Sequence, residues 1–435
     1  MGSPLSLPLC GERSEKMYEK ITLPNGVRIV YEYIPHVRSV TMGIWVGTGS
    51  RFENVQENGA SHFIEHMLFK GTTRRSAADI AWESDRIGGQ INAFTTRECT
   101  CFYGRVLDDH LNILTDLLCD MFFNPRFSQE DVENERGVIF EEIDMYEDAP
   151  DDLASERLFS GVFKGSALAR PVLGSKKTLS AMTGQSLRSY MLSHYDASSV
   201  VVAVSGSFRN SDIDRIKSCF SALESHGKNV IKTARYKPVL VTKKKNIEQN
   251  HLCFGFPGLG INSESRFAFQ LMSSILGGSM SSRLFQTVRE KNGLCYGIYS
   301  FTGSYSREGL FSVYTALNRE MESRAISLIL SEIERFIEGG ITDDELSCAR
   351  EQARANILMG LESTSTRMNR LARGELFSGG VLSVDEICQR YDSVTKEQIR
   401  TVAEEYLAPS GLSLSAVGKT VNADSYRELL GEYVK

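Results

Sequence analysis

Two histidines and a glutamate near the start of the chain have the types and the spacing of a metal site. His62 and His66 stand four residues apart in the segment "HFIEH", and Glu65 directly precedes the second histidine. If the segment is helical, positions four apart lie on one face, so both imidazoles can reach one ion. Neutral imidazole suits zinc, and catalytic zinc keeps three protein ligands and one open position for water. Glu65 lies on the same flank, where it can accept a proton from that water.

A third ligand can come from a cluster of glutamates farther along the chain. The segment 133–148, "ENERGVIFEEIDMYED", is predicted to be helical and carries Glu135 and Glu142 seven residues apart, two turns along one face. One of them can bind the ion while the other orients a ligand by a hydrogen bond. Two plainer alternatives stand beside this interpretation: an amphipathic helix with two partly buried histidines, and a solvated acidic helix face.

The elements that must position these residues occur in two similar halves. The segment "TGQSLR" (183–188) has a counterpart "TKEQIR" (395–400), and the strand "VTMGIWVGTG" (40–49) has a counterpart "HLCFGFPGLG" (251–260). The matches keep the same order at a nearly constant offset. The chain is therefore predicted to be a duplicated domain of about 210 residues.

The repeat and the spacing of apolar residues predict an α+β fold. Each half is expected to be an antiparallel-rich sheet packed with helices, because short extended runs alternate with longer helical patterns. The predicted limits are a disordered leader at 1–16, a first half at 17–225, a polar linker at 226–240 and a second half at 241–435.

The second half lacks the polar set, which gives a further argument that the set has a function. The positions that correspond to the two histidines and two of the glutamates are Ala268, Leu271, Met272 and Asn356. The helix is thus expected to form without the polar residues. The first half is predicted to keep them for chemistry, and the second half to lack a metal site.

Composition excludes some classes of function. The net charge of −6 and a pI near 5.8 argue against nucleic acid binding, and no apolar run approaches membrane-spanning length. Nine cysteines without a C-x-x-C pair indicate a reducing compartment. The first residues fit no signal peptide, and Glu12 and Glu15 argue against a transit peptide. We expect a bacterial cytoplasmic protein, with the mitochondrial matrix as the alternative.

Several long motifs resemble those of the M16 metallopeptidases, the family of pitrilysin and the mitochondrial processing peptidase. They are "GASHFIEHMLFKGT", "DRIGGQINAFTTRE", "ERGVIFEEIDMYEDAPDD" and "LGGSMSSRLFQTVREKNGLCYGIYS". The order H-x-x-E-H is the inverzincin pattern. The resemblance runs from about residue 17 to the end and is greatest to bacterial processing-peptidase-like zinc proteases.

The resemblance implies a role for each residue of the predicted metal site. His62, His66 and Glu142 would ligate one zinc ion per chain, and Glu65 would be the general base. Glu135 would occupy the acidic position from which a carboxylate orients one of the metal ligands.

The resemblance also implies roles for residues outside the metal site. Arg289 and Tyr296, seven residues apart in "VREKNGLCY", would reach the active site in a closed form and contact the substrate carbonyl. The alternative is a turn with a surface arginine and a packed tyrosine. Asn92 and Ala93 in "INAFTT" would form a substrate-binding edge strand, where an extended peptide adds by main-chain hydrogen bonds.

The function implied is a zinc-dependent endopeptidase that cleaves unfolded peptides or presequence-like segments inside a closed chamber. Such a chamber is built from four domains of this kind, so the resemblance implies a homodimer. The acidic stretch 141–152 either lines that chamber or is a solvated face. The main alternative is a non-catalytic structural or assembly subunit of the same fold. A metal-binding protein without hydrolytic activity is a third.

Overall fold

A computed structural model describes residues 18–225, 227 and 230–431, so the predicted leader lies outside the described residues. The strands are β1 (Glu19–Thr22), β2 (Arg28–Tyr33), β3 (Ser39–Val46), β4 (Gln90–Thr95), β5 (Thr100–Leu107), β6 (Val200–Gly206), β7 (Leu240–Lys244), β8 (Asn250–Leu259), β9 (Ile298–Ser304), β10 (Glu308–Leu317) and β11 (Ser413–Gly418). The helices are α1 (Ala60–Leu68), α2 (Ala77–Arg86), α3 (Leu111–Phe123), α4 (Gln129–Asp148), α5 (Pro150–Val162), α6 (Lys176–Ser180), α7 (Gly184–His194), α8 (Asn210–Phe220), α9 (Arg266–Gly277), α10 (Arg319–Gly339), α11 (Asp343–Gly360), α12 (Thr364–Arg373), α13 (Val384–Ser393), α14 (Lys396–Tyr406) and α15 (Ala423–Leu430). Within the described ranges, no helix is long and apolar enough to cross a membrane.

The two sheets share one strand plan. The first has the order β1-β2-β6-β3-β5-β4, and the second has the order β7-β11-β8-β10-β9. Each sheet contains one parallel pair of strands, which is β2 with β6 in the first sheet and β7 with β11 in the second. The other neighbouring strands in each sheet are antiparallel. The predicted α+β class, with two similar halves and antiparallel-rich sheets, is confirmed.

The repeated sequence motifs are helix starts. The Thr183 side chain accepts a hydrogen bond from the Ser186 N–H at the start of α7, and Thr395 accepts one from the Gln398 N–H at the start of α14. In both helices the third residue also bonds back to the threonine N–H. These capping boxes satisfy backbone donors that no helical turn can satisfy, which explains why the same residue types recur.

Each half covers one face of the other half's sheet with a helix. Helix α12 lies on the first sheet, where Met368 packs beside Trp45, and helix α5 lies on the second sheet, where Leu158 packs beside Cys253. Gly43 in β3 and Gly255 in β8 each lie under the helix that covers their sheet. A Cβ on Gly43 would stand 2.7 Å from the Met368 sulfur. The exchanged helices therefore bind the two halves into one folded unit. The limits of the two halves predicted from the sequence, 17–225 and 241–435, stay a prediction.

A buried ion-pair network also joins the halves, beside the exchanged helices. Arg51 of the first half donates to Glu98 of its own half (2.7 Å) and to Glu308 of the second half (2.8 Å). The second Glu98 oxygen accepts from the Ser306 N–H (2.8 Å), and Arg51 also donates to the Lys232 carbonyl (2.7 Å). All three charged side chains are buried. The arginine therefore compensates two carboxylates that water cannot reach.

Replacing Arg51 by methionine is expected to lower the free energy of unfolding by about 3–5 kcal/mol, because Glu98 and Glu308 stay buried without their partner. Urea unfolding followed by circular dichroism measures the loss. Arg38→Met is the matched control, since Arg38 is 79% exposed and pairs with Asp108 at the surface; that change is expected to cost about 1 kcal/mol or less. Equal losses in the two variants would contradict the assigned role of Arg51.

Candidate metal centre

A buried carboxylate fixes the start of the helix that carries both histidines. Helix α1 follows Gly59, whose φ of 99° favours glycine. The Glu53 carboxylate accepts hydrogen bonds from the Gly59 N–H, the Ser61 N–H and the Asn58 side chain, at 2.8–2.9 Å. Burial raises the pKa of Glu53, and these hydrogen bonds oppose the rise. No motif marks Glu53 in the sequence, because its contacts depend on a loop whose path only the tertiary structure shows.

The structure brings together the three residues predicted to bind metal. The Nε2 atoms of His62 and His66, on α1, each lie 3.6 Å from Oε2 of Glu142, on α4. Their candidate ligand atoms all lie within 4.8 Å of one another. Glu142 Oε2 is buried, and no residue in the described part of the chain donates a hydrogen bond to it. A buried carboxylate oxygen without a donor, facing two imidazole nitrogens, fits a divalent cation, and the N,N,O donor set suits zinc.

Glu135 orients one of the histidines. Its Oε1 lies 2.8 Å from Nδ1 of His66, and its Oε2 pairs with Lys70 at 2.6 Å. A carboxylate only accepts, so Nδ1 carries the proton and Nε2 is left for the ion. Burial lowers the pKa of His66, but the hydrogen bond to Glu135 and the nearby negative charge of Glu142 outweigh this effect and raise the pKa to about 9.

Removal of this support is expected to weaken zinc binding without abolishing it. In Glu135→Ala the ring of His66 loses its fixed orientation, and the affinity for zinc is expected to fall by roughly 10–100-fold. A competition titration with a chromophoric chelator measures the change. Glu130→Ala removes an exposed carboxylate from the same helix and is expected to leave the affinity unchanged. An unchanged affinity in Glu135→Ala would show that the hydrogen bond does not support the site.

Glu65 lies beside the three ligands and is held by the first sheet. Its Oε2 accepts a hydrogen bond of 2.6 Å from Thr95, the last residue of β4. Burial raises the pKa of Glu65, and the Thr95 hydrogen bond opposes this rise. Burial and the neighbouring His66 lower the pKa of His62 to about 4, so this imidazole is neutral at pH 7. Thr95 was missed as a site residue, although it belongs to the segment predicted to bind substrate.

The strand that ends at Thr95 has an open side. β4 is the outermost strand of its sheet and pairs with β5 alone. Asn92 is exposed, and its side chain accepts a hydrogen bond from the Ala93 N–H (2.8 Å). An extended peptide that replaced this contact could pair with β4 as an added strand.

A cavity of about 660 Å³ adjoins the metal centre and separates β4 from the second sheet. Its acidic lining residues are Glu65, Glu142, Glu147, Asp152 and Glu156. Arg97 also lines the cavity, but its charge is paired with Glu156 at 2.7 Å. The walls include the aromatic rings Phe94, Phe159, Phe301 and Tyr305. The cavity is therefore acidic and partly aromatic.

Arg289 and Tyr296 lie together but not at the metal centre. The Arg289 guanidinium stands 4.5 Å from the centroid of the Phe285 ring and 5.3 Å from that of the Tyr296 ring. Tyr296 is 87% exposed. Neither Arg289 nor Tyr296 is among the residues that line the cavity. Their predicted part in catalysis therefore stays a prediction.

Fold and site together define a class of protein. His62, His66 and Glu142 converge on one point, and the half-buried Glu65 lies beside them at the end of an open strand. This is the arrangement of a metal-dependent hydrolase. The sequence matches the family model "Insulinase (Peptidase family M16)" over residues 28–176 and the model "Peptidase M16 inactive domain" over residues 181–353. The chain belongs to peptidase family M16, which confirms the resemblance found in its motifs.

Relatives of known name agree with this assignment. The chain is 41% identical to the uncharacterized zinc protease YmxG of Bacillus subtilis, over 91% of this chain and 99% of that protein. It is 40% identical to an uncharacterized zinc protease of Streptomyces coelicolor, over 94% of this chain and 91% of that protein. These names support a zinc peptidase.

Solved structures support the fold. The crystal structure of a peptidase M16 inactive domain from Pseudomonas fluorescens matches with a TM-score of 0.85 at 20% identity, over 93% of this chain and 98% of that one. A protease from Helicobacter pylori matches with a TM-score of 0.84 at 19% identity, over 92% and 99%.

Proposed function

We propose that this protein is a zinc-dependent endopeptidase that cleaves unfolded peptides. One observation carries the proposal: Thr95 joins the end of the open strand β4 to the Glu65 carboxylate, which lies beside the three candidate ligands. A peptide added to β4 would thus bring its backbone to the residues that do the chemistry.

The residues divide the work of hydrolysis among them. His62, His66 and Glu142 would hold zinc, which when bound polarises a carbonyl and lowers the pKa of water to about 7. Glu65 accepts a proton from the attacking water and returns it to the leaving amine. Its burial suits the first transfer, because a raised pKa makes the carboxylate a stronger base toward the proton of water. This division of roles is the inverzincin mechanism that the order of the motif implies.

The cavity favours extended peptides that carry basic residues. Glu147 and Asp152 line the cavity and are neither candidate ligands nor partners of Arg97, so they attract positive charge. Main-chain pairing along β4 selects no particular side chain. Presequence-like segments, which are basic and unfolded, have both properties. This makes a processing-peptidase type of activity the best match to the site.

A second copy of the chain would complete the enzyme. Arg289 and Tyr296 are exposed or half-exposed and do not line the cavity of their own chain. In a homodimer that encloses substrate, this pair could face the metal centre of the partner subunit. We place this assembly in the bacterial cytoplasm, consistent with its free thiols.

Digestion of a mixed library of unstructured peptides tests the proposal. Zinc-loaded protein is expected to cleave the library, protein treated with a chelator to lose the activity, and added zinc to restore it. Mass spectrometry of the products gives the cleavage sites, which are expected to be internal and near basic residues. Stoichiometric zinc binding without any cleavage would contradict the proposal and favour a non-catalytic subunit of the same fold.

A further inference from the structure

Two cysteines face each other in the helical layer of the first half. Cys119 lies on α3 and is 7% exposed, whereas Cys219 lies on α8 and is half-buried. Both pack against the same hydrophobic core, and each thiol lies close enough to the other to shift its pKa. Each of the eight cysteines in the described ranges is a free thiol.

Contacts on either side fix the alignment of the two helices. Before the cysteines, Arg215 of α8 pairs with Asp116 of α3 (N–O 3.3 Å). After them, the rings of Phe123 and Phe220 lie 5.2 Å apart between centroids. The ion pair and the ring contact each join α3 to α8, one before and one after the cysteines. The facing position of the thiols is therefore set by packing, and not by the thiols themselves.

The surroundings make Cys219 the reactive member of the pair. The neighbouring Cys119 thiol lowers the pKa of Cys219; burial and Asp116 oppose this effect, whereas Arg215 and Arg74 add to it. The neighbouring Cys219 thiol and burial raise the pKa of Cys119. A partly exposed cysteine near cations, next to a buried second thiol, has the arrangement of an attacking and a resolving cysteine.

We propose that Cys119 and Cys219 are a redox modification site that closes a reversible disulfide between α3 and α8. The oxidant is a small disulfide such as glutathione disulfide. The Cys219 thiolate attacks one sulfur, which forms a mixed disulfide and releases one glutathione thiolate. The Cys119 thiol then loses its proton, and its sulfur attacks Cys219 and expels the second glutathione. Two protein thiols are oxidised to one disulfide, and one glutathione disulfide is reduced to two thiols.

Peptide mapping tests the site on the full chain. The native protein is incubated with glutathione disulfide, quenched with acid, alkylated and digested with trypsin. The sequence places Cys119 in the tryptic peptide 106–126 and Cys219 in the tryptic peptide 218–228. We expect these two peptides to appear as one linked pair, and excess reduced glutathione to separate them again.

Variants distinguish this pair from general thiol oxidation. Cys219→Ser is expected to abolish the linked pair, and Cys119→Ala to leave a glutathione adduct on Cys219 that is not resolved. Cys348→Ser, which removes an exposed cysteine on α11, is expected to leave the linked pair unchanged. Circular dichroism checks that each variant is folded. A stable glutathione adduct on Cys219 of the wild type, or no modification of either cysteine, would overturn the proposal.

Discussion

Glu65→Gln is expected to lower kcat for peptide cleavage by roughly 10²–10⁴-fold, because the variant loses its general base. Glutamine keeps the size of the side chain and can still accept the hydrogen bond from Thr95. It cannot take a proton from water. Zinc affinity is expected to be retained, since the candidate ligands are His62, His66 and Glu142. KM is expected to change little, because in the proposed binding mode the substrate would pair with β4 and would not bind to the carboxylate.

Steady-state kinetics on one peptide from the library, with metal analysis of both proteins, measure this effect. Glu147→Gln is the matched control, because Glu147 lines the same cavity but is not one of the three candidate ligands. Its expected change is in KM for basic peptides, with kcat maintained. If Glu65→Gln cleaved as fast as the wild type with zinc in place, Glu65 could not be the base, and the catalytic proposal would fail.

The fold could be predicted from the sequence where local signals carry it. The capping threonines at Thr183 and Thr395 mark equivalent helix starts, and the strand motifs place β3 and β8 at equivalent positions. The exchange of α5 and α12 could not be predicted in this way. The apolar residues of a helix show that it is buried, but they do not show against which sheet it packs. Leu158 and Met368 would look the same on either sheet.

Some residues of the candidate site could likewise be predicted from local sequence signals, and others could not. The histidines of α1 are predictable because helical spacing alone places them on one face, and Glu135 and Glu142 because they share a second helix. Glu53 and Thr95 act through contacts between segments that only the tertiary fold brings together. The role of Arg289 and Tyr296 at the metal centre was predicted from the resemblance alone. Because they do not line the cavity of their own chain, that role would require a second copy of the chain.

Glu142→Gln is expected to have the largest effect on metal binding. The Glu142 carboxylate is the only anionic member of the candidate ligand set, and its Oε2 lies 3.6 Å from both imidazole Nε2 atoms. The variant keeps the volume of the side chain but removes the charge that opposes the dication. We expect zinc affinity to fall by more than the roughly 10–100-fold expected for Glu135→Ala, and peptide cleavage to be lost at zinc concentrations that saturate the wild type.

Glu141→Gln separates loss of a ligand from loss of charge on the helix. Glu141 is adjacent to Glu142 on α4 but exposed, so its replacement is expected to leave zinc affinity unchanged. Isothermal titration with zinc gives both affinities, and the thermal unfolding of the metal-free variants checks that α4 still packs on α1. The metal-free Glu142→Gln protein is expected to stay folded and to lose only the charge interaction between Glu142 and His66, whose atoms lie 3.6 Å apart. Equal zinc affinity in the Glu141 and Glu142 variants would show that the third ligand lies elsewhere, and the metal centre drawn from α1 and α4 would have to be abandoned.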